Sequence, residues 1–492
     1  MTEASDLAPV KPKSILVFSH SELSGVLSDF LKGFKSDGAK VTLVCKNQQE
    51  VHHYEQTYGT LFDAIETTTF RYDSLLEPLE APQEWIDRAK ALEHELGFRF
   101  THLLLDDRHL GTGFLAAGTN YRETRWSRAA TYPKALRAYV SFVEFFKGLL
   151  QKHDVDLVLQ PNKSCCVAAR GMGIAIRYFV SAGYEDYYYW TENEFMEHPT
   201  IAHAFEKATV QPDGPTITGH YKVYLDERAK MIRRFSTSIM LKNMTHEFVR
   251  YFYYHLRRYE KRKGLVLKAQ LREHFDIWDH FRTLQRNATA SLQDIENVPF
   301  VYFPLSVEPE VTLTRESPEF NHQPFAIQAL AKELPAGTFL VVKEHLTSVG
   351  ARPADFYKSL RKMPNVIFID PMESGLKVMD KAAAVATING TSGFEAAVKG
   401  IPLILFGMHA NYRMLSHVKQ ITSWTDIGPA LDWVFGTEPH DIGSYAERGK
   451  QYLQAVVDVA IDMHGTDLMG RVSPELLDKM RETFDASFQQ QS

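Results

Sequence analysis

Cysteine is scarce in this sequence: Cys45, Cys165 and Cys166 are the only three in 492 residues. So few thiols give no disulfide framework and no metal-ligand spacing, and they fit a reducing compartment. Long apolar runs are also lacking. None approaches the roughly 18 residues that a spanning helix needs, and the opening MTEASDLAPVKPK has no apolar core of the signal-peptide kind. The expectation is a cytoplasmic protein, at most peripheral on the inner face of a membrane. An excess of positive charge is absent too: the formal net charge is −6, which argues against a general nucleic-acid binder. There is no low-complexity tract, no repeat of solenoid period, and no Asp-x-Asp placed as a metal–sugar clamp, so no metal is expected.

What remains is an ordinary globular balance, 44% hydrophobic and 24% charged, with length for two or three domains. SILVFSH (Ser14–His20) is followed by a helical pattern and then by AKVTLVCK (Ala39–Lys46). This β-α-β rhythm predicts a parallel sheet covered by helices. THLLLDD (Thr101–Asp107) and VDLVLQP (Val155–Pro161) read as further strands, giving a first α/β domain over 12–215. Helical patterning dominates 216–295, where Arg250–Arg272 carries eight Lys/Arg against one Glu, with Tyr and Phe interleaved. Five strand candidates then recur in a second doubly wound domain over 296–435: VPFVYFPL, GTFLVVKEH, NVIFID, AAVATI and IPLILFG. Residues 436–492 read as C-terminal helices. Two such domains would face each other across a cleft at the carboxyl ends of their sheets, where ligands of open parallel sheets sit.

The polar motifs fall on those edges. In TINGTSGFEAAVKGIP (Thr387–Pro402), a strand gives way to a helix with Ser392 or Gly393 as N-cap. Thr391, Ser392 and Gly393 would then lie beside free N–H groups where an anion is favoured, with Glu395 in the first turn, within reach of sugar hydroxyls. Lys343, Glu344 and His345 crowd another strand end. Glu308 and Glu310 follow a third. In the first domain, Asp106, Asp107, Arg108 and His109 close an expected strand. Asp107 and His109 are the best-placed candidates for a base or nucleophile, with His20 and Glu22 as rivals after the first strand. YEDYYYWTENE (Tyr184–Glu194) suits sugar stacking or an aromatic core strand. Arg250–Arg272 suits an anionic membrane surface or a solvated helix face.

PLSVEPE, the KEH after a strand, PNVIFID and VATINGTSGFEAAVKGIPLILFG occur in that order across residues 298–410. They resemble the capsule polysaccharide biosynthesis proteins, bacterial glycosyltransferase-like proteins of the GT-B architecture. The resemblance implies two Rossmann-like domains with the nucleotide held by the C-terminal one. It also implies transfer of a sugar, CMP-linked and Kdo-like, from a nucleotide donor to a saccharide or lipid-linked acceptor, without a metal. His345 and Thr391–Ser392 would contact the donor phosphate and Glu395 the ribose. The relatives that use CMP-linked sugars carry Pro after this His; here Leu346 follows His345. A GT-B-like sugar-nucleotide epimerase and a non-catalytic capsule assembly or export factor are the alternative readings.

Overall fold

The computed structural model describes residues 11–68, 72–105, 107, 110, 123–217, 232–286, 288, 290–307, 313, 317–320, 322–353 and 355–488. The first sheet takes β1 (Ser14–Phe18), β2 (Lys40–Cys45), β3 (Ala64–Thr67), β4 (Leu157–Leu159), β5 (Ala175–Ser181) and β6 (Tyr187–Thr191). The second takes β7 (Phe300–Pro304), β8 (Phe339–Lys343), β9 (Val366–Phe368), β10 (Ala384–Thr387), β11 (Leu403–Leu405) and β12 (Val418–Gln420). A last strand, β13 (Ile461–Asp462), returns to the first sheet. The central strands are unbroken apolar runs because helices cover both faces: every residue of β1, β7 and β10 is buried.

The sheets run β13-β6-β5-β4-β1-β2-β3 and β12-β11-β10-β7-β8-β9. All pairings of β7–β12 are parallel, and the order is the doubly wound one, reversing between β7 and β10. In the first sheet the reversal lies between β1 and β4, and the antiparallel pairings are the two made by β6, with β5 and with β13. Two doubly wound sheets are the architecture that the sequence implied.

Two segments differ from expectation. THLLLDD is not a strand: Phe100–Leu105 is a short helix. Its apolar residues Phe100, Leu103 and Leu104 bury together against the helix Tyr132–Lys152, in a cluster apart from the sheet. A short apolar run does not distinguish a strand from a buried helical turn. The C-terminal segment is more than helices. β13 pairs with β6, and the helix Pro474–Ala486 sends Met480 and Phe484 into the first core beside Phe30, Phe34 and Trp190.

Between the domains, Thr237–Leu256 and Leu267–Arg286 form a helical hairpin. Ile277, Phe281 and Leu284 enter the second core, with Phe235 stacked on Phe281 at 4.0 Å. The tip meets the first domain, where Lys263 pairs with Asp73 at 2.7 Å and Gly264 lies directly against the Trp126 ring.

The returning C-terminal strap leaves no room at Gly25. A Cβ there would lie 2.1 Å from the Gly470 carbonyl oxygen, while the Val26 N–H donates to Leu468 O at 3.1 Å. Gly25→Ala is therefore expected to cost about 1–3 kcal/mol, read as a lower urea midpoint with unchanged secondary structure.

Candidate functional site

Where the strand order reverses, successive connections leave on opposite faces and a crevice opens at the carboxyl edge. In the second sheet that crevice is bordered by Ser306 after β7 and by Asn389–Thr391 after β10. His345 follows β8, on the far side of β7. With neighbouring strands about 4.8 Å apart, the ends of β8 and β10 are about 10 Å from each other.

Each small residue of NGTSG has a physical task. Gly390 sits at φ +108°, in the left-handed region that side chains avoid, and its N–H donates to Asn389 Oδ1 at 2.8 Å. The Tyr412 hydroxyl donates to the same oxygen at 3.1 Å. A Cβ on Gly393 would lie 2.3 Å from that hydroxyl, so glycine lets Tyr412 close over the turn. The helix runs Thr391–Lys399 with Gly390 as its N-cap, ahead of the Ser392 or Gly393 that the sequence suggested, because the glycine turn takes the capping place. That cap has no side chain, so the N–H groups of Thr391 and Ser392 have no acceptor among the described residues. Glu395 consequently lies beyond the first turn. It is half-buried and makes no hydrogen bond among the described residues, and burial pushes its carboxyl up to about 7 against the opposing pull of Lys399.

KEH divides into an inner pair and an outer residue. Lys343 and Glu344 are buried. The Glu344 carboxylate accepts from Arg352 Nε at 2.6 Å, the Tyr357 hydroxyl at 2.6 Å and the His345 N–H at 2.7 Å. Its oxygens are engaged within the protein, so the donor contact expected of Glu344 gives way to a positioning role. Arg352 also donates to Ser306 O at 2.8 Å, and Gln323 brackets Ser306 by receiving its N–H at 2.7 Å and donating to its carbonyl at 3.1 Å. The loops after β7 and β8 are thus tied by one buried network. His345 alone reaches solvent. Its Nδ1 accepts the Thr347 N–H at 3.3 Å, which leaves the proton of the neutral ring on Nε2. Desolvation lowers its pKa first, and Lys343 and Arg352 add to this against Glu344.

On the first domain, Asp107 is buried and accepts from the Tyr72 hydroxyl at 2.9 Å and from the Tyr139 hydroxyl. With no strand to end and two phenols on its carboxylate, it holds helices together; the expectation of a catalytic strand-end carboxylate is not met. His20 follows β1, and its Nδ1 accepts the N–H groups of Glu22 and Leu23 at 3.3 and 3.2 Å. Burial and Lys46 lower its pKa, so the neutral ring carries its proton on Nε2 and is placed as a donor rather than a base. His109, Glu308 and Glu310 lie outside the described residues. Of YEDYYYWTENE, Trp190 is a core residue, and Glu194 is buried against Arg170 at 2.6 Å.

The sequence reading missed the contact between the domains. The loop after β11 lays His409 on the Phe195 ring, with centroids 3.8 Å apart and 9° between planes. His409 bridges Glu197 at 3.3 Å and Glu319 at 3.7 Å, and Arg413 reaches Glu197 at 2.9 Å. Asn411 accepts the His198 N–H at 2.9 Å and donates to Tyr189 Oη and Met196 O, both at 3.1 Å. The signal was the polar run MHANYR directly after the strand IPLILFG. Hydrogen bonds to Glu197 and then Glu319 raise the His409 pKa from 6.5 to about 9. Burial raises both carboxyls, but the bonds to His409 prevail and hold them below the usual range.

Two outcomes follow from this geometry. Arg352→Met leaves Glu344 buried without its cation and is expected to destabilise the protein by about 3–5 kcal/mol, measured by chemical denaturation. The His409 contribution is complete below pH 6.5 and disappears as the pH rises to about 9. With solvent screening allowed for, it is worth about 1–2 kcal/mol. Stability measured across that range should fall in the wild type and remain flatter in His409→Gln.

No curated protein matches the chain. Among solved structures, the UDP-GlcNAc 2-epimerase from Neisseria meningitidis is 10% identical over 91% of this chain and 98% of its own, with a TM-score of 0.24. The calicheamicin glycosyltransferase CalG4 is 12% identical over 97% and 98%, with a TM-score of 0.27. The beta Kdo 2,7 transferase KpsC of Thermosulfurimonas dismutans is 13% identical over 68% and 88%, with a TM-score of 0.31. These likenesses are too distant to carry an argument about activity. The family match is local: residues 223–423, which hold the His345 loop, the NGTSG turn and the interdomain loop, match the family model described as capsule polysaccharide biosynthesis protein.

Proposed function

We propose that the protein is a glycosyltransferase that moves a sugar from a nucleotide donor, CMP-linked and Kdo-like, to a growing bacterial surface polysaccharide or glycolipid. The observation that carries this reading is the open helix N-terminus at Thr391–Ser392, at the strand-order reversal and inside the family-matched span. The donor phosphate takes the free N–H groups and hydroxyls of Thr391 and Ser392, and the Nε2–H of His345 approaches it from the end of β8. As the bond from the anomeric carbon to the phosphate oxygen breaks, negative charge grows on the phosphate, where fixed donors and the helix dipole stabilise it most. The acceptor oxygen forms the new bond, and its proton passes to a base, for which His109 is the candidate. His20 donates to a substrate oxygen. Glu395 accepts from a ribose hydroxyl when ionised. No metal is needed in this scheme, so chelation should leave turnover unchanged.

A thermal-shift comparison of CMP, CDP, UDP and GDP tests the reading, since a ligand of the native state stabilises by mass action. CMP should raise the melting temperature most. Thr391→Ala and His345→Ala should each weaken donor binding about tenfold, in line with the loss of one charge-assisted hydrogen bond. If no nucleotide stabilises the protein and neither variant alters binding, the proposal fails. An isomerised nucleotide sugar formed without acceptor would favour the epimerase instead. Because the Glu395 carboxyl titrates at about 7, donor KM should fall as the pH rises through that value, and Glu395→Gln should remove the dependence.

A further inference from the structure

The helix Thr237–Leu256 shows an apolar face to solvent. Leu241, Phe248, Val249, Phe252 and Leu256 are 55, 48, 59, 47 and 83% exposed. Their spacings of seven, eight, eleven and fifteen residues from Leu241 place them on one stripe of an amphipathic helix. Such a stripe ordinarily faces a core, yet the core-facing side here is the opposite one: Glu247 is buried, ion-paired with Arg250, toward the helix Leu267–Arg286. The stripe runs into a basic end. Arg257, Arg258 and Lys261 are exposed and have no carboxylate partner among the described residues, and Lys242 lies exposed at the other end. Lys263 is already paired with Asp73.

We propose that this face lies in the surface of an anionic lipid bilayer, with Leu241, Phe248, Phe252 and Leu256 entering the acyl boundary and Arg257, Arg258 and Lys261 at the headgroups. Charge selects this occupant over a second copy of the chain. From 237 to 261 the acids are Glu247, which is buried and paired with Arg250, and Glu260, against Lys242, Arg250, Arg257, Arg258 and Lys261, so self-association would bring an excess of cations together. A helix of 20 residues spans about 30 Å, suited to lying in the membrane plane, and no helix among the described residues is long and apolar enough to cross a membrane. The hairpin tip rests on the first domain at Asp73 and Trp126, and the Trp126 ring packs, tilted, against Tyr72, the partner of Asp107, with centroids 5.5 Å apart. The bilayer would therefore run past the flank of the first domain. This inference does not depend on the sugar-transfer reading.

The test is sedimentation of the full-length protein with phosphatidylcholine vesicles, with and without phosphatidylglycerol. Binding is expected to the phosphatidylglycerol vesicles and to weaken with added salt. Phe252→Asp combined with Leu256→Asp should reduce partitioning about tenfold or more, since it removes two inserted side chains. The triple variant Arg257→Glu, Arg258→Glu, Lys261→Glu should abolish the preference for phosphatidylglycerol. Circular dichroism checks that each variant is folded, and Leu256→Asp alone, at the most exposed position, gives a second reading if the double variant is impaired. The proposal is overturned if the protein ignores all vesicles, if it binds both kinds equally, or if folded aspartate variants sediment like the wild type. It is overturned as well if the protein is a dimer in solution that these variants split, which would assign the face to a second copy.

Discussion

The ion pair between Glu344 and Arg352 is the constraint on which the carboxyl edge of the second sheet depends. Both side chains are removed from water, so neither charge is tolerable without the other. The guanidinium does more than neutralise. It also donates to the carbonyl of Ser306, and the carboxylate fixes the backbone of His345. Two loops that emerge from adjacent strands are thereby set relative to each other from within the protein. The site is built on a buried polar frame, and the groups offered to a ligand are the few left over after that frame is satisfied.

The NGTSG turn obeys the same rule by a different route. Its own side chains supply the frame, as the Asn389 amide oxygen collects donors from Gly390 and Tyr412. The helix start is then left uncapped, and the unmet hydrogen-bonding capacity of two peptide groups becomes the feature available for binding. At the same edge, His409, held by Glu319 of its own domain, fastens the domains through Glu197. The charge that holds the domains and the donors that face the crevice therefore belong to successive connections of one sheet, after β11 and after β10.

Strand content was legible wherever apolar runs were long and β-branched, as in SILVF and FLVV, because a sheet covered on both faces asks only for hydrophobicity. The helix at Phe100–Leu105 was not legible, since its burial is among helices and its run is too short to show a period. The placement of the KEH and NGTSG segments at the carboxyl edge of the second sheet followed from the strand runs that precede them. The division of KEH into two buried residues and one exposed residue could not be read, because it depends on Arg352 and Tyr357, which lie beyond the strand end and carry no motif. The interdomain contact was hidden for a related reason: His409 acquires its character from Glu197, more than two hundred residues earlier.

The C-terminal helix Pro474–Ala486 has a consequence for the order of assembly. Arg177 is held by Ser487 and Trp190 by the carbonyl of Met480, contacts separated by 310 and 290 residues. Every strand of the second sheet lies between the two partners of each contact. During synthesis, the second domain has its whole sequence available while the first still waits for its closing helix. The usual sequence of N-terminal domain first is therefore reversed for completion of the core, and Phe30, Phe34 and Trp190 stay uncovered on that side until this helix has been synthesised.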